Sequence, residues 1–188
     1  MDNVTVLHSL RSYVGTLDEQ QALKDMIALV TDTDAPFSDG QFVPGHITAS
    51  GFVVDPERRA MLLIHHGKLG IWVQPGGHVE SVDSSLEAAA RREVVEETAV
   101  RLSDRAGELF DVDAHEIPQR GDTPPHIHFD VRFAFEALSR DLAQSEEVRA
   151  AVWVGFDDVL CGPYQESVKR PATKLLTLVM NPMSSFYR

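Results

Sequence analysis

Three carboxylates, Glu93, Glu96 and Glu97, follow one another at spacings that a helix would turn onto one side. Successive helical residues rotate by about 100°, so the three fall within an arc of roughly 100°. Carboxylates so placed repel one another unless they face solvent, pair with bases such as Arg91 and Arg92, or share a cation. As hard oxygen ligands they suit magnesium or manganese. Ala88 and Val95 lie on the opposite side of such a helix and are expected to face the core. Just upstream, Pro75-Gly76-Gly77 forms a bend. Glycine permits close approach there, so a bare backbone carbonyl can reach the same place.

A second set of candidates alternates along 127–135. Ile127, Phe129, Val131, Phe133 and Phe135 interleave with His128, Asp130, Arg132 and Ala134, and His126 precedes them. A period of two predicts a strand with one buried and one polar face. The polar face reads as a hydrogen-bonded solvent or pocket face, because His-x-His-x-Asp supplies only part of the three or four ligands zinc needs. His65 and His66 are adjacent in another extended run and must point to opposite faces.

These residues need a scaffold, and the chain describes one. Thr16 and Glu19 form a capping-box pattern ahead of Leu23, Met26, Ile27 and Val30, which predicts a helix over 16–31. A loop rich in Asp, Pro and Gly then separates an N-terminal helical lead, 1–40, from a main domain, 41–188. Strands are expected over 47–54, 60–65, 71–74, 109–117, 127–135 and 151–156, the first two joined by Asp55-Pro56-Glu57-Arg58. Helices are expected over 84–98, capped by Ser84 or Ser85, and over 172–180. The layout is a mixed sheet with helices packed on it.

Composition bounds the function. The chain has 188 residues, 43% of them hydrophobic, and a formal net charge of -12. No basic run appears, so a nucleic-acid polymer is a poor partner, while a small phosphorylated substrate fits if a divalent metal supplies positive charge. The single cysteine, Cys161, precludes an intrachain disulfide and suits a reducing compartment. Neither a signal peptide nor a membrane-spanning run is evident, so a cytoplasmic protein is expected. A homodimer is compatible with the sequence.

The whole string from Gly76 to Val100 resembles the Nudix box, a glycine, a spacer, then Arg-Glu-apolar-x-Glu-Glu-x-Gly-apolar. Gly77 matches the glycine, Arg92-Glu93-Val94 and Glu96-Glu97 match the core, and Val100 matches the final apolar position. Two positions depart. Ala99 replaces the last glycine, where a left-handed residue would cost about 1 kcal/mol or more, so another helix ending is expected. The spacer glutamate is replaced by Asp83 or Ser84, with one residue added, which puts the support of Arg92 in question.

The resemblance implies an α/β/α sandwich around a mixed sheet, and a hydrolase that directs water onto a phosphorus of a nucleoside diphosphate derivative. It implies Mg2+, with Mn2+ as a substitute, on Glu93, Glu96, Glu97 and the Gly76 carbonyl, with Arg92 orienting Glu93. It also implies a further glutamate just before the last strand, Glu147 with Glu146 as its alternative, as ligand or general base. A Pro-Gly-Gly-His subgroup shares His46, His78 and the HIHFDVRF string, which makes His78, His128, Asp130 and Arg132 substrate-pocket candidates. Two other readings remain: a nucleotide sensor on the same fold without turnover, and an isomerase of isoprenyl diphosphates. The isomerase needs a cysteine upstream of the box, whereas Cys161 lies downstream.

Overall fold

The computed structural model describes residues 1–67, 70–143, 145 and 148–181. Among the described residues, seven strands form one sheet: β1 (Gly45–Val54), β2 (Ala60–His66), β3 (Trp72–Val73), β4 (Gly76–His78), β5 (Glu108–Ile117), β6 (His126–Glu136) and β7 (Val148–Gly155). Their order is β3-β2-β1-β6-β5, with β4 added to β1 and β7 to β2. β1 and β6 run parallel, and the other pairings are antiparallel. The expected mixed α/β architecture is therefore present.

Helices cover both faces. α1 (Asn3–Ser12), α2 (Gln20–Asp32) and α3 (Leu86–Thr98) lie on one, and α4 (Phe156–Cys161) and α5 (Glu166–Met180) on the other. Alternation along β1 decides which side chains meet which layer. Ile47, Ala49 and Val53 join Phe129, Val131, Phe133 and Phe135 of β6 against Leu10, Met26, Ala90 and Val94. Phe52 and Val54 instead pack with Ala134 against Phe156, Val168, Ala172 and Leu175. The apolar residues of α1 and α2 thus share one core with the sheet and α3. A Cβ on Gly51 would collide with the Val94 side chain, so glycine there lets α3 settle close to β1.

Several elements differ from expectation. α1 and α4 are additional, and α5 begins six residues before Ala172 because Pro171 is accommodated within it. Residues 17–19 form a 3₁₀ turn ahead of α2, with Glu19 accepting the Thr16 N–H at 2.6 Å. Val95 is exposed, not buried; the core face of α3 is Leu86, Ala89, Ala90 and Val94, with Glu97 beside them. No helix among the described residues is long and apolar enough to cross a membrane.

Candidate functional site

Ser85 starts α3: its side chain accepts the Ala88 N–H at 3.0 Å, satisfying an orphan donor of the first turn. From there the helical pitch delivers Arg92, Glu93, Glu96 and Glu97 toward the Gly76-Gly77 bend. Glu97 is buried and its Oε2 accepts the Gly76 N–H at 2.9 Å. Glu93 Oε1 lies 2.8 Å from where a Cβ on Gly77 would stand, so any larger residue would push the carboxylate away. Gly76 has φ +157, and a Cβ on it would strike Ser50, so the bend requires glycine twice over. The Gly76-Gly77-His78 segment, expected as a turn, is itself the strand β4, paired with Thr48, Ala49 and Ser50.

Arg92 ties this patch together. Its Nη1 donates to Glu93 at 3.0 Å and to Glu96 at 2.9 Å, and its Nη2 donates to the His78 carbonyl at 2.9 Å. The same guanidinium forks onto Asp83, with Nε and Nη2 each 3.0 Å from a carboxylate oxygen. Burial alone would raise Asp83, but the Arg92 hydrogen bonds prevail and hold it below its usual range. Asp83, in turn, accepts the Glu80 N–H at 2.8 Å. The spacer therefore supports Arg92 through a shorter acid than the family pattern has, and the extra residue is absorbed in the turn.

The helix end corrects a second expectation. Ala99 adopts the left-handed conformation, φ 52 and ψ 16, and its N–H closes on the Val95 carbonyl at 2.8 Å. Alanine takes the strained conformation because Val100, buried just beyond, must turn into the core.

As a donor set, Glu93, Glu96 and Glu97 fit a hard divalent cation: all are carboxylates, and Glu80 and Asp83 add to the negative charge around a single guanidinium. Glu96 is mostly exposed and turned to Arg92, so it must swing to share an ion with the other two. Glu146 and Glu147 lie outside the described residues.

The polar face of β6 divides. At its start His128 meets His46, with ring centroids 4.8 Å apart, and His78, 5.2 Å away. Burial, reinforced by the surrounding histidines His46, His78, His115 and His126, depresses the His128 pKa to about 2, so the ring stays neutral. Farther along, Asp130 and Arg132 do not face a pocket. Arg132 is 1% exposed and donates to Asp130 at 2.8 Å, Asp111 at 3.1 Å, Asp113 at 2.9 Å and the Ser167 carbonyl at 3.1 Å. Asp130 also accepts from Thr48, Ser50 and Gln74. The structure departs here from the expected pocket face: both side chains are buried, their hydrogen bonds are taken within the protein, and Arg132 reaches the first turn of α5.

Around Arg132 the structure gathers residues the sequence reading did not single out. Arg170 contacts Asp111 and Asp113, and Lys174 contacts Glu19, Asp111 and the Tyr13 hydroxyl. A visible signal existed. Asp111 and Asp113 share one strand face, and Arg170 and Lys174 are four apart on a helix.

The NUDIX domain model matches residues 44–176. Among solved structures, a NUDIX-family hydrolase from Clostridium perfringens is 24% identical with a TM-score of 0.55, covering 71% of this chain and 97% of its own. An Ap4A hydrolase from C. elegans is 17% identical at TM-score 0.52, over 71% and 97%. The NUDIX domain of Shewanella oneidensis NrtR, solved with ADP ribose, is 19% identical at TM-score 0.54, over 78% and 94%. The box helix, the glycine bend it faces and the match across most of the chain lead to one statement: this protein belongs to the Nudix family of hydrolases.

Proposed function

We propose that the protein is a Mg2+-dependent hydrolase, with Mn2+ able to substitute, that cleaves the diphosphate linkage of a nucleoside diphosphate derivative. The observation that carries this reading is the gathering of carboxylates where α3 meets the glycine bend, with Glu97 on the Gly76 N–H and Glu93 against Gly77. Glu93, Glu96, Glu97 and the Gly76 carbonyl would hold the cation, and Glu147, or Glu146, would add a carboxylate as ligand or general base. A divalent cation there neutralises diphosphate oxygens and lowers the pKa of an attacking water.

The chain's own residues have separate tasks. Arg92 keeps Glu93 beside the bend and holds Glu96 within reach of it, through donors that are themselves fixed by Asp83. The Gly76 N–H fixes Glu97 through one carboxylate oxygen, which holds the side chain at the bend. The substrate class draws support from the Ap4A hydrolase and the ADP-ribose complex among the similar structures. A sensor without turnover is the weaker reading, because Asp83 and the left-handed Ala99 make good the two departures that motivated it. One exposed cysteine and an acidic, basic-run-free chain support a cytoplasmic protein acting on small molecules.

The test is a panel of nucleoside diphosphate derivatives incubated with Mg2+, with products identified by mass spectrometry. Turnover is expected for at least one class, and Glu97→Gln is expected to reduce it by roughly 10³-fold. Equal turnover by Glu97→Gln would refute the assignment of the site.

A further inference from the structure

We propose that His46, His78 and His128 form a second metal site. It would bind one divalent transition metal of the zinc class through three imidazoles and leave a fourth position open to solvent.

Three strands converge to build it. β1 and β6 run parallel with His46 opposite His128, and β4 pairs with β1 so that His78 stands opposite Thr48, two residues farther on the same face. One ring nitrogen from each histidine lies within 4.8 Å of the other two. The ring centroids are 4.8, 5.0 and 5.2 Å apart. A tetrahedral ion about 2.0–2.1 Å from each nitrogen wants nitrogens about 3.4 Å apart, a closure of at most about 1.4 Å that ring rotation supplies.

His46 carries the independent observation. It is fully buried, and its Nδ1 lies 3.1 Å from the Gln41 carbonyl. A carbonyl only accepts, so Nδ1 holds the proton and Nε2 presents a lone pair. That Nε2 is buried and has no hydrogen-bond partner among the described residues. Buried polar atoms are normally satisfied, and a ring whose far N–H is held by a backbone carbonyl is how proteins aim histidine at a metal. His126 sits behind the trio in the same tautomer, donating from Nδ1 to the Pro124 carbonyl at 2.8 Å, with its ring 5.1 Å from both His46 and His128.

The trio is not closed. His78 is exposed, so on its side a water or an anionic oxygen can complete the shell. Three protein ligands with an open position mark zinc sites that bind ligands, in contrast to four-ligand structural sites. The donor set also separates this site from the carboxylate patch: imidazole nitrogens select zinc, cobalt or nickel, and carboxylate oxygens select magnesium. The two sites share one piece of backbone. Arg92 holds the His78 carbonyl while the His78 ring turns to His46.

Untagged full-length protein, stripped with chelator and kept in excess Mg2+, would be titrated with Co2+ and then Zn2+. One equivalent of Co2+ is expected, with the intense visible absorption of a four-coordinate site, displaced by Zn2+. His78→Ala, at an exposed position, and His128→Asn are each expected to weaken Zn2+ by more than about 100-fold, beyond the 10–100-fold typical of a metal ligand's outer partners. The Glu93→Gln/Glu97→Gln double variant should keep both stoichiometry and spectrum. Thermal melting in chelator verifies that the variants fold. Absence of one-equivalent binding overturns the proposal. So does binding indifferent to His78→Ala, or binding lost with the glutamate pair.

Discussion

Two arginines in this molecule each gather a ring of carboxylates, with opposite consequences. Arg92 faces Glu80, Asp83, Glu93 and Glu96, with Glu97 beside them, and no second base joins it among its ion pairs. Arg132 faces Asp111, Asp113 and Asp130, but Arg170 and Lys174 close in from α5 and meet Glu19 as well. Among the described residues, the buried cluster sets three bases against four acids, while Arg92 beside the bend meets four acids in its own ion pairs. Charge that is nearly balanced and out of water is costly to break, because losing one partner leaves the others uncompensated. Acid in excess, half in water, is a place for a cation. Acidic residues alone do not reveal which is which; the bases that α5 brings do.

Breaking the buried cluster should have the largest effect. Arg132→Met leaves three carboxylates facing one another under α5, and urea denaturation is expected to show a loss of about 3–5 kcal/mol. Turnover per folded molecule should change little by comparison.

Glu19→Gln comes next, at about 3 kcal/mol, since it strips a buried partner from Lys174. Burial opposes ionisation of Glu19, but hydrogen bonds from Lys174, Tyr13 and Thr16 win and hold it at about 2 against 4.5 for a free glutamate. Its folded pKa is depressed, so the stability it contributes is present above about pH 4.5 and lost as pH falls toward 2. Melting temperatures between pH 5 and 2 should fall less steeply in the variant than in the parent; parallel curves would show that Glu19 does not titrate there.

On the other side of the comparison, Asp83→Asn should cost less stability than Glu19→Gln, about 1–2 kcal/mol because Arg92 keeps Glu93 and Glu96, yet lower kcat/KM by about 10–100-fold, the usual effect of losing an outer partner. A collapse in stability instead would place the Arg92 cluster with the structural one. The smallest effect is expected from Ala99→Gly. Relief of the left-handed alanine, less the added freedom of the unfolded chain, should raise stability by about 0.5–1 kcal/mol in a thermal melt.

Much of the site could be read from the chain because it is local. The helix 84–98, its serine cap and the placement of Glu93, Glu96 and Glu97 depend on residues within a few turns of each other. The direction of α3 was harder: Val95 was expected inward and lies outward, because Gly51 draws Val94 against β1 instead. The β6 pattern gives the period and not the environment, since Asp130 and Arg132 lie on a polar face that is buried among residues of β1, β5 and α5.

By itself the sequence carried the box motif that marks the family, the placement of Glu93, Glu96 and Glu97 on one helix and the alternation of the long strand, all of them features of neighbouring residues. Only tertiary structure decided what each polar face meets. His46, His78 and His128 are separated by 32 and 50 positions, and they converge because β1 accepts β4 on one edge and β6 on the other. Lys174 reaches Glu19 because both meet β5, at Asp111 and Val112. Periodicity fixes the face of an element, but pairing and packing across the chain choose its neighbours, and the chemistry follows the neighbours.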